Sequence, residues 1–310
     1  MNAGPAMNAL PAIGDATAIG DAPTTKVVPG ATPLLRVRGL SVALPDFSAP
    51  RGLLGLSRAP LRPILQGVDM ELSCGECLGL VGESGSGKTT LGRALLRLVA
   101  PTAGRIEFDG RDIAHETEAA MRPLRARMQM IFQDPLSSLN PRRTVGDAVV
   151  QPLRAYGRLG TRDEARRAAA MLLEQVALPA AFASRYPHEL SGGQRQRVGI
   201  ARAIALSPDL VVADEIVSGL DVSTQATILL LLRELRARLG LAIVFITHDL
   251  SVVRVLCDRI AVMREGRIVE QGTTADVFAA PRDHYTRELL DAVPLPDVER
   301  GWLDPLATAA

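Results

Sequence analysis

A glycine-rich segment directly after a short apolar run constrains this chain more than any other feature. Residues 77–81 read Cys-Leu-Gly-Leu-Val and predict a buried strand. Residues 82–89 read Gly-Glu-Ser-Gly-Ser-Gly-Lys-Thr, which fits the pattern G-x-x-x-x-G-K-[ST], and an apolar helical segment follows. A strand, a glycine loop and a helix form the context in which this pattern wraps phosphate groups. We therefore expect this loop to bind a polyphosphate.

The residue types of the loop serve different purposes. Gly82, Gly85 and Gly87 let the backbone turn so that successive N–H groups point inward, and the helix that begins near Lys88 adds its positive end. Lys88 supplies a compact cation for the β- and γ-phosphates, and the Thr89 hydroxyl is an oxygen ligand of the kind Mg²⁺ prefers. The predicted nucleotide contacts are Gly82, Glu83, Ser84, Gly85, Ser86, Gly87, Lys88, Thr89 and Thr90.

Composition indicates a globular protein with no electrostatic preference for nucleic acid. Of 310 residues, 47% are hydrophobic, which is sufficient for a large core. The formal net charge is +1, with 35 basic and 34 acidic residues, so a nucleic-acid partner is not expected. The longest apolar runs, residues 228–232 and 241–246, are far shorter than the roughly 18 residues of a membrane span.

The chain begins with a segment that is predicted to lie outside the folded core. Residues 1–33 are rich in Ala, Gly and Pro and lack the charged and apolar regions of a secretory signal, so we expect a disordered tail. Cys74, Cys77 and Cys257 are too few for a disulfide framework and fit a reducing compartment. The C-x-x-C spacing of the first two has no second ligand pair, which argues against a metal site.

Short strands are predicted on both sides of the glycine loop. Residues 35–42 alternate as a half-buried strand, and residues 51–63 look like an insertion before a strand at residues 68–72. Residues 105–108, followed by an Asp-Gly pair, predict a β-hairpin, and residues 128–132 predict a further strand. These segments indicate a small β layer beside the nucleotide core.

The second half of the chain alternates between helical and strand patterns. Residues 140–187 are predicted to be helical, with a capping box from Thr161 to Glu164. Ser223 is predicted to cap a later amphipathic helix that ends at Gly240.

Apolar runs at residues 210–213 and 241–247 predict two more strands that helices separate. Such alternation favours a mostly parallel sheet with ligands at the carboxyl ends of its strands. The predicted class is α/β, with a P-loop NTPase (RecA-like) parallel-sheet core, a small antiparallel β subdomain and an inserted helical subdomain.

A second glycine motif points to one family. Residues 190–194 read Leu-Ser-Gly-Gly-Gln and continue as Arg-Gln-Arg-Val-Gly-Ile-Ala-Arg-Ala. With the phosphate loop and a later pair of acids, this segment makes the chain resemble the ATPase subunit of ABC transporters over residues 34–297. The resemblance implies an ABC ATPase domain at residues 34–280, with its helical subdomain at about 140–190, and a C-terminal extension of the oligopeptide-transporter type at 281–310.

The resemblance also implies a shared nucleotide site. In the family, the signature loop covers the nucleotide that the opposite subunit holds, through a helix N-terminus and glycine amides. Asp221 matches the loop that crosses to the partner subunit. The signature residues that are predicted to contact nucleotide are Ser191, Gly192, Gly193 and Gln194.

Further roles follow from the resemblance at the ends of the later strands. Asp214 matches the acid that orients Mg²⁺, with Thr89 and Gln133 as the other predicted metal contacts. Glu215 matches the general base, and His248 matches the histidine that contacts the γ-phosphate. Gln133 is also expected to touch the attacking water and to sense the transporter. The predicted catalytic residues are therefore Glu215, His248 and Gln133, and the predicted cofactors are ATP and Mg²⁺.

Three further segments, residues 133–142, 186–189 and 284–290, resemble the oligopeptide and dipeptide (peptide/nickel) importer branch. This resemblance implies two transmembrane permease subunits, a second ATPase subunit that is identical or related, and an extracytoplasmic solute-binding protein reached through the permease. It places the chain peripherally, at the cytoplasmic face of the plasma (inner) membrane. It does not identify the solute.

Two alternatives and two departures from the family pattern stay open at this point. The chain could be a soluble ABC ATPase that acts on ribosomes or DNA. A stand-alone P-loop kinase or GTPase is disfavoured by the signature motif. Relatives stack an aromatic residue on adenine at the end of the first strand, whereas Leu44 stands here and Phe47 is the nearest substitute. Ile216 and Gly219 replace the more usual Pro and Ala around the loop of Asp221.

Overall fold

The computed structural model describes residues 32–46, 60–133 and 139–292, and a central sheet organises this part of the chain. Strands β9, β3, β8, β7 and β6 run parallel to one another, and β10 pairs antiparallel with β9 at one edge. The predicted parallel core is therefore confirmed. In spatial order the strands are β10 (Arg267–Thr273), β9 (Arg259–Arg264), β3 (Cys77–Val81), β8 (Ala242–Ile246), β7 (Leu210–Asp214) and β6 (Met128–Ile131).

A smaller antiparallel sheet covers one face of the central sheet. The hairpin of β4 and β5 is confirmed, and the first predicted strand is longer than expected, since it reaches Pro45. In spatial order the strands of this sheet are β2 (Leu61–Leu72), β1 (Leu35–Pro45), β4 (Ala103–Phe108) and β5 (Arg111–Asp112).

The predicted boundary of the insertion at residues 51–63 is wrong at its end. Leu61, Arg62 and Pro63 belong to β2, where they pair with β1, whereas residues 51–59 lie outside the described residues. Pro63 is tolerated because β2 is an edge strand, so its missing N–H breaks no ladder with a further strand. Pairing with β1 thus extends β2 well before the predicted start at residue 68.

Helices flank both sheets. The capping box is confirmed, because the Thr161 side chain accepts the N–H of Glu164 and the Glu164 carboxylate accepts the N–H of Thr161. The helices are α1 (Lys88–Leu95), α2 (Glu118–Arg127), α3 (Val145–Ala155), α4 (Arg162–Glu174), α5 (Gly192–Ile204), α6 (Val222–Leu239), α7 (Leu250–Leu256), α8 (Thr274–Ala279) and α9 (His284–Ala292). Single 3₁₀ turns at Ala180–Ser184 and Pro187–Glu189 connect α4 to α5.

The prediction that Ser223 caps α6 is wrong. Asp221 is the N-cap, and its carboxylate accepts the N–H of Thr224 at 2.9 Å, while the Ser223 hydroxyl donates to the same carboxylate. A carboxylate that faces the helix N-terminus also complements the helix dipole, which explains why Asp221 takes this position. The predicted end is confirmed, because Gly240 terminates α6 with a φ of 66°.

Alternate residues of the central strands build two cores. Cys77, Val211 and Phe245 face the helical subdomain, whereas Leu78 and Val212 face α1 and the antiparallel sheet. This alternation is the period of two that a strand imposes on its side chains. With both faces covered, the open edge at the carboxyl ends of the parallel strands is the place where polar side chains can gather. Within the described ranges, no helix combines the length and the apolarity that a membrane crossing requires.

Candidate active site

The glycine loop leaves the fully buried strand β3 and turns sharply at its first residue. Gly82 has a φ of 145°, and a Cβ at this position would lie 2.1 Å from the carbonyl oxygen of Met263. Gly87, with a φ of 104°, is the N-cap of α1. Both positions require glycine because of their backbone conformation. The loop is therefore clamped against β9 at one end and opens into a helix N-terminus at the other.

The cation of the loop is held inside it. Lys88 is only 5% exposed, and its Nζ donates to the carbonyl oxygens of Gly82 at 2.8 Å and Glu83 at 2.7 Å. Burial lowers the pKa of Lys88, and the nearby charges of Glu215 and Asp214 act in the opposite direction. The ammonium group is thus held by backbone oxygens of the loop and lies near the acids at the end of β7.

A buried carboxylate and a hydroxyl meet beside the loop. Asp214 ends β7 and is 3% exposed, and the Thr89 hydroxyl donates to its Oδ1 at 3.1 Å. Burial raises the pKa of Asp214, while the hydrogen bond from Thr89 acts against this shift. These two oxygen donors fit a hard divalent cation such as Mg²⁺, which takes few protein ligands and keeps several waters. Within the described residues, no cluster of three His, Cys, Asp or Glu side chains offers another metal site.

Three residues that were predicted to be catalytic meet at one carboxylate. Glu215 has a φ of 48° and donates its N–H to the carbonyl of Ile246 on β8, 2.9 Å away. Its Oε2 accepts from the Nε2 of Gln133 at 2.9 Å, and its Oε1 lies 3.7 Å from the Nδ1 of His248. Because Gln133, Glu215 and His248 follow β6, β7 and β8 respectively, the parallel sheet brings them together at its carboxyl edge.

The signature segment forms a helix N-terminus elsewhere on the chain. Ser191 caps α5, and a reciprocal capping box joins its hydroxyl and N–H to Gln194. Among the described residues, no hydrogen bond or ion pair links residues 191–194 with the phosphate loop. One chain therefore presents two separate surfaces that suit phosphate groups.

Asp221 and the residues that were considered for adenine stacking are not among those that form the contacts around Lys88 and Glu215 described above. The Asp221 carboxylate is engaged in capping α6, and hydrogen bonds from Ser223 and Thr224 lower its pKa to about 2. Leu44 lies near the end of β1 and is 36% exposed, whereas Phe47 falls outside the described residues. The predictions for Asp221 and for adenine stacking stay predictions.

The family model described as ABC transporter matches residues 65–218. A protein named as a peptide import ATP-binding protein, from Brucella ovis, is 52% identical over 266 residues, which cover 86% of this chain and 80% of that protein. The chain belongs to the ABC transporter ATPase family. The resemblance that the motifs indicated is thus confirmed, and the chain is an ATP-binding enzyme that hydrolyses ATP.

The chain of this ABC ATPase is also similar to a second import protein in sequence and to two solved ATP-binding cassettes in structure. The glutathione import ATP-binding protein GsiA of Salmonella paratyphi A is 48% identical over 86% of this chain and 42% of that protein. The cassette MJ0796, in a dimeric post-hydrolysis state with ADP and Pi, superposes with a TM-score of 0.68 at 28% identity, over 77% of this chain and 98% of that chain. CbiO1 of Clostridium perfringens, part of the transporter complex cbiONQ, superposes with a TM-score of 0.68 at 29% identity, over 84% of this chain and 96% of that chain. These neighbours confirm the predicted fold class.

The ABC ATPase also has a site contact that the sequence did not reveal. The hydroxyl oxygen of Tyr285 on α9 accepts the N–H of Glu83 in the phosphate loop at 2.9 Å. In the sequence, this tyrosine stands out only as part of a segment, residues 284–290, that resembles the importer branch. No local pattern could find the contact, because 202 residues separate the two partners.

The packing of the signature loop supports a prediction about Gly193. A Cβ at Gly193 would lie 2.4 Å from the Cγ2 of Thr224, whose hydroxyl is held by Asp221. Gly193→Ala is therefore expected to lower the free energy of unfolding by about 1–3 kcal/mol through overpacking, measured by urea denaturation. Gly192→Ala is the control, since its Cβ would make an ordinary 3.5 Å contact with Leu220. Equal stabilities for the two variants would contradict the prediction.

Proposed function

We propose that this ABC ATPase is the energy-coupling subunit of an importer for oligopeptides or dipeptides. Two observations together support the proposal. Lys88 is buried near Asp214 and Glu215 at the carboxyl edge of the central sheet. The chain is also 52% identical to a protein named for peptide import. The names of the relatives do not favour an ATPase that acts on ribosomes or DNA.

In the proposed mechanism, the phosphate loop binds ATP through its backbone amides, and Lys88, held by the carbonyls of Gly82 and Glu83, supplies a positive charge to the phosphates. Thr89, Asp214 and Gln133 would hold Mg²⁺, which neutralises developing charge on the phosphate oxygens when bound. The raised pKa of Asp214 supports this assignment, because a buried carboxylate gains most from a nearby cation.

Glu215 acts as the general base in this proposal. Its carboxylate accepts a proton from the attacking water, and the hydrogen bond from Gln133 fixes its orientation. His248 lies 3.7 Å away and its side chain is 61% exposed, so it can reach the γ-phosphate without losing its position beside Glu215. The three side chains thus combine base, water orientation and phosphate contact.

A complete site requires a second ATPase chain, identical or related. The signature residues 191–194 form no contact with the phosphate loop among the described residues, although both surfaces suit phosphate. We therefore propose that each ATP lies between the phosphate loop of one chain and the signature helix of the other. The dimeric form of MJ0796 supports this arrangement. ATP then favours the closed dimer because it contacts both chains only in that state.

A permease is proposed to bind the cleft beside Gln133. The cleft lies between the central sheet and α3, and its floor includes the exposed side chains of Leu98 (49%) and Phe132 (37%). Gln133, next to Phe132, bonds directly to Glu215, so an inserted permease segment would touch the catalytic carboxylate through one side chain. We propose two such permease subunits, a solute-binding protein on the far side, and a peripheral position at the cytoplasmic face of the inner membrane.

The proposal is tested by capture of the full-length Glu215→Gln chain from detergent-solubilised membranes in the presence of ATP. We expect two permease subunits and an ATPase partner, and a binding protein encoded with them can then be tested for peptide ligands. The wild-type chain without ATP is the control for nucleotide-dependent assembly. Recovery of ribosomal proteins, or of no membrane protein, would contradict the importer function.

A further inference from the structure

The C-terminal helix α9 contacts the phosphate loop through Tyr285. Tyr285 is 3% exposed, and its hydroxyl oxygen accepts the N–H of Glu83 at 2.9 Å. Glu83 and its neighbour Ser84 are exposed, so this bond links a buried side chain to the outer part of the loop. Tyr285 itself is not among the residues that are predicted to touch ATP, whereas Glu83 is.

The same peptide group also holds Lys88. The carbonyl of Gly82 and the N–H of Glu83 belong to one peptide unit, and that carbonyl accepts from the Nζ of Lys88 at 2.8 Å. A continuous line therefore runs from the Tyr285 hydroxyl through this peptide to the ammonium group. Hydrogen bonds in series polarise one another, and a rotation of the peptide plane would break both bonds at once. Tyr285 thus fixes the plane that orients the cation.

The position of Tyr285 is itself well determined. The guanidinium of Arg264 lies 4.8 Å from the centre of its ring, and the Asp283 carboxylate accepts its N–H at 2.9 Å. Glu270 on β10 accepts the N–H groups of Arg282 and Asp283 at 2.8 and 3.0 Å, which fixes the start of α9. Tyr285 is therefore anchored to β9 and β10, the strands that border the loop.

We propose that Tyr285 is a positioning residue for Lys88, and that the C-terminal helix thereby sets the affinity of the phosphate loop for ATP. The contact reaches the backbone that orients the cation but does not reach Glu215, so it acts on nucleotide binding and not on the chemical step. This role goes beyond the importer function, because it holds for any ATPase reaction of this chain.

The test uses Tyr285→Phe in the full-length chain, which keeps the ring over Arg264 and removes the hydroxyl. Loss of one hydrogen bond is expected to raise the Kd and the KM for ATP about 3- to 10-fold, with kcat within about twofold of wild type. Asp291→Asn is the matched control, since Asp291 is exposed on the same helix and lies near its C-terminal end. It is expected to leave Kd and kcat unchanged.

A second measurement separates this role from a structural one. In a Lys88→Ala background, Tyr285→Phe should lower ATP affinity no further, because the cation that the peptide orients is gone. An equal loss of affinity in both backgrounds would overturn the route through Lys88. An unchanged Kd in Tyr285→Phe, with or without a lower melting temperature, would overturn the proposal itself, as would a fall in kcat at constant Kd.

Discussion

Replacing Glu215 by glutamine is expected to lower ATP hydrolysis by about 10²- to 10⁴-fold while ATP binding is retained, which is the usual contribution of a general base. The amide has the shape of the carboxylate, and its oxygen can still accept the hydrogen bond that Gln133 donates to Glu215 at 2.9 Å. The amide cannot, however, take a proton from the attacking water. The geometry of the site is therefore preserved and its basic group is lost.

Phosphate release and binding of a fluorescent ATP analogue, measured on the same preparation, check the Glu215 prediction. Glu234→Gln is the control, because Glu234 is an exposed glutamate on α6 and lies outside the site. Turnover close to wild type in Glu215→Gln would assign the base to another group. Loss of ATP binding would show that the carboxylate holds the nucleotide instead of activating water.

The Lys88→Ala change is expected to weaken ATP binding about 10- to 100-fold, since hydrogen bonds to a charged group contribute more than neutral ones. Lys88 is 5% exposed and burial lowers its pKa, so removal of its ammonium group relieves a desolvation cost in the folded chain. The variant is therefore expected to fold. A lower affinity can then be attributed to the lost phosphate contact.

Lys88→Arg is the informative companion of the alanine variant. It keeps the positive charge, but its planar fork cannot occupy the narrow position in which Nζ reaches Gly82 O and Glu83 O. We expect an affinity between those of wild type and Lys88→Ala in isothermal titration. Unchanged affinity in Lys88→Ala, with a normal unfolding transition, would argue against the phosphate role of this residue.

The sequence predicts those parts of the fold in which local pattern and long-range packing agree. Strand β3, the strand that ends at Asp214, and the capping box at Thr161 each have a local signal, and the structure forms them as expected. The convergence of Gln133, Glu215 and His248 also follows, because parallel strands bring their carboxyl ends to one edge.

The sequence predictions were wrong or missing where a contact with a distant segment, or a stronger capping residue nearby, determines the structure. Pairing with β1 draws residues 61–63 into β2 despite the proline, and Asp221 displaces Ser223 as a cap because a carboxylate interacts more strongly with the helix N-terminus. The bond from Glu83 to Tyr285 depends on how β9 and β10 place α9, which no window of sequence contains.

Gln133 and His248 both lie against Glu215, so the geometry at the proposed general base depends on two side chains. Gln133 follows β6 and precedes the helical subdomain in the chain, whereas His248 follows β8 and precedes α7. Under the proposed mechanism, Glu215 is correctly oriented only when the side chains of Gln133 and His248 are both in place beside it. ATP hydrolysis would then depend on the positions of two parts of the chain at once, the helical subdomain and α7.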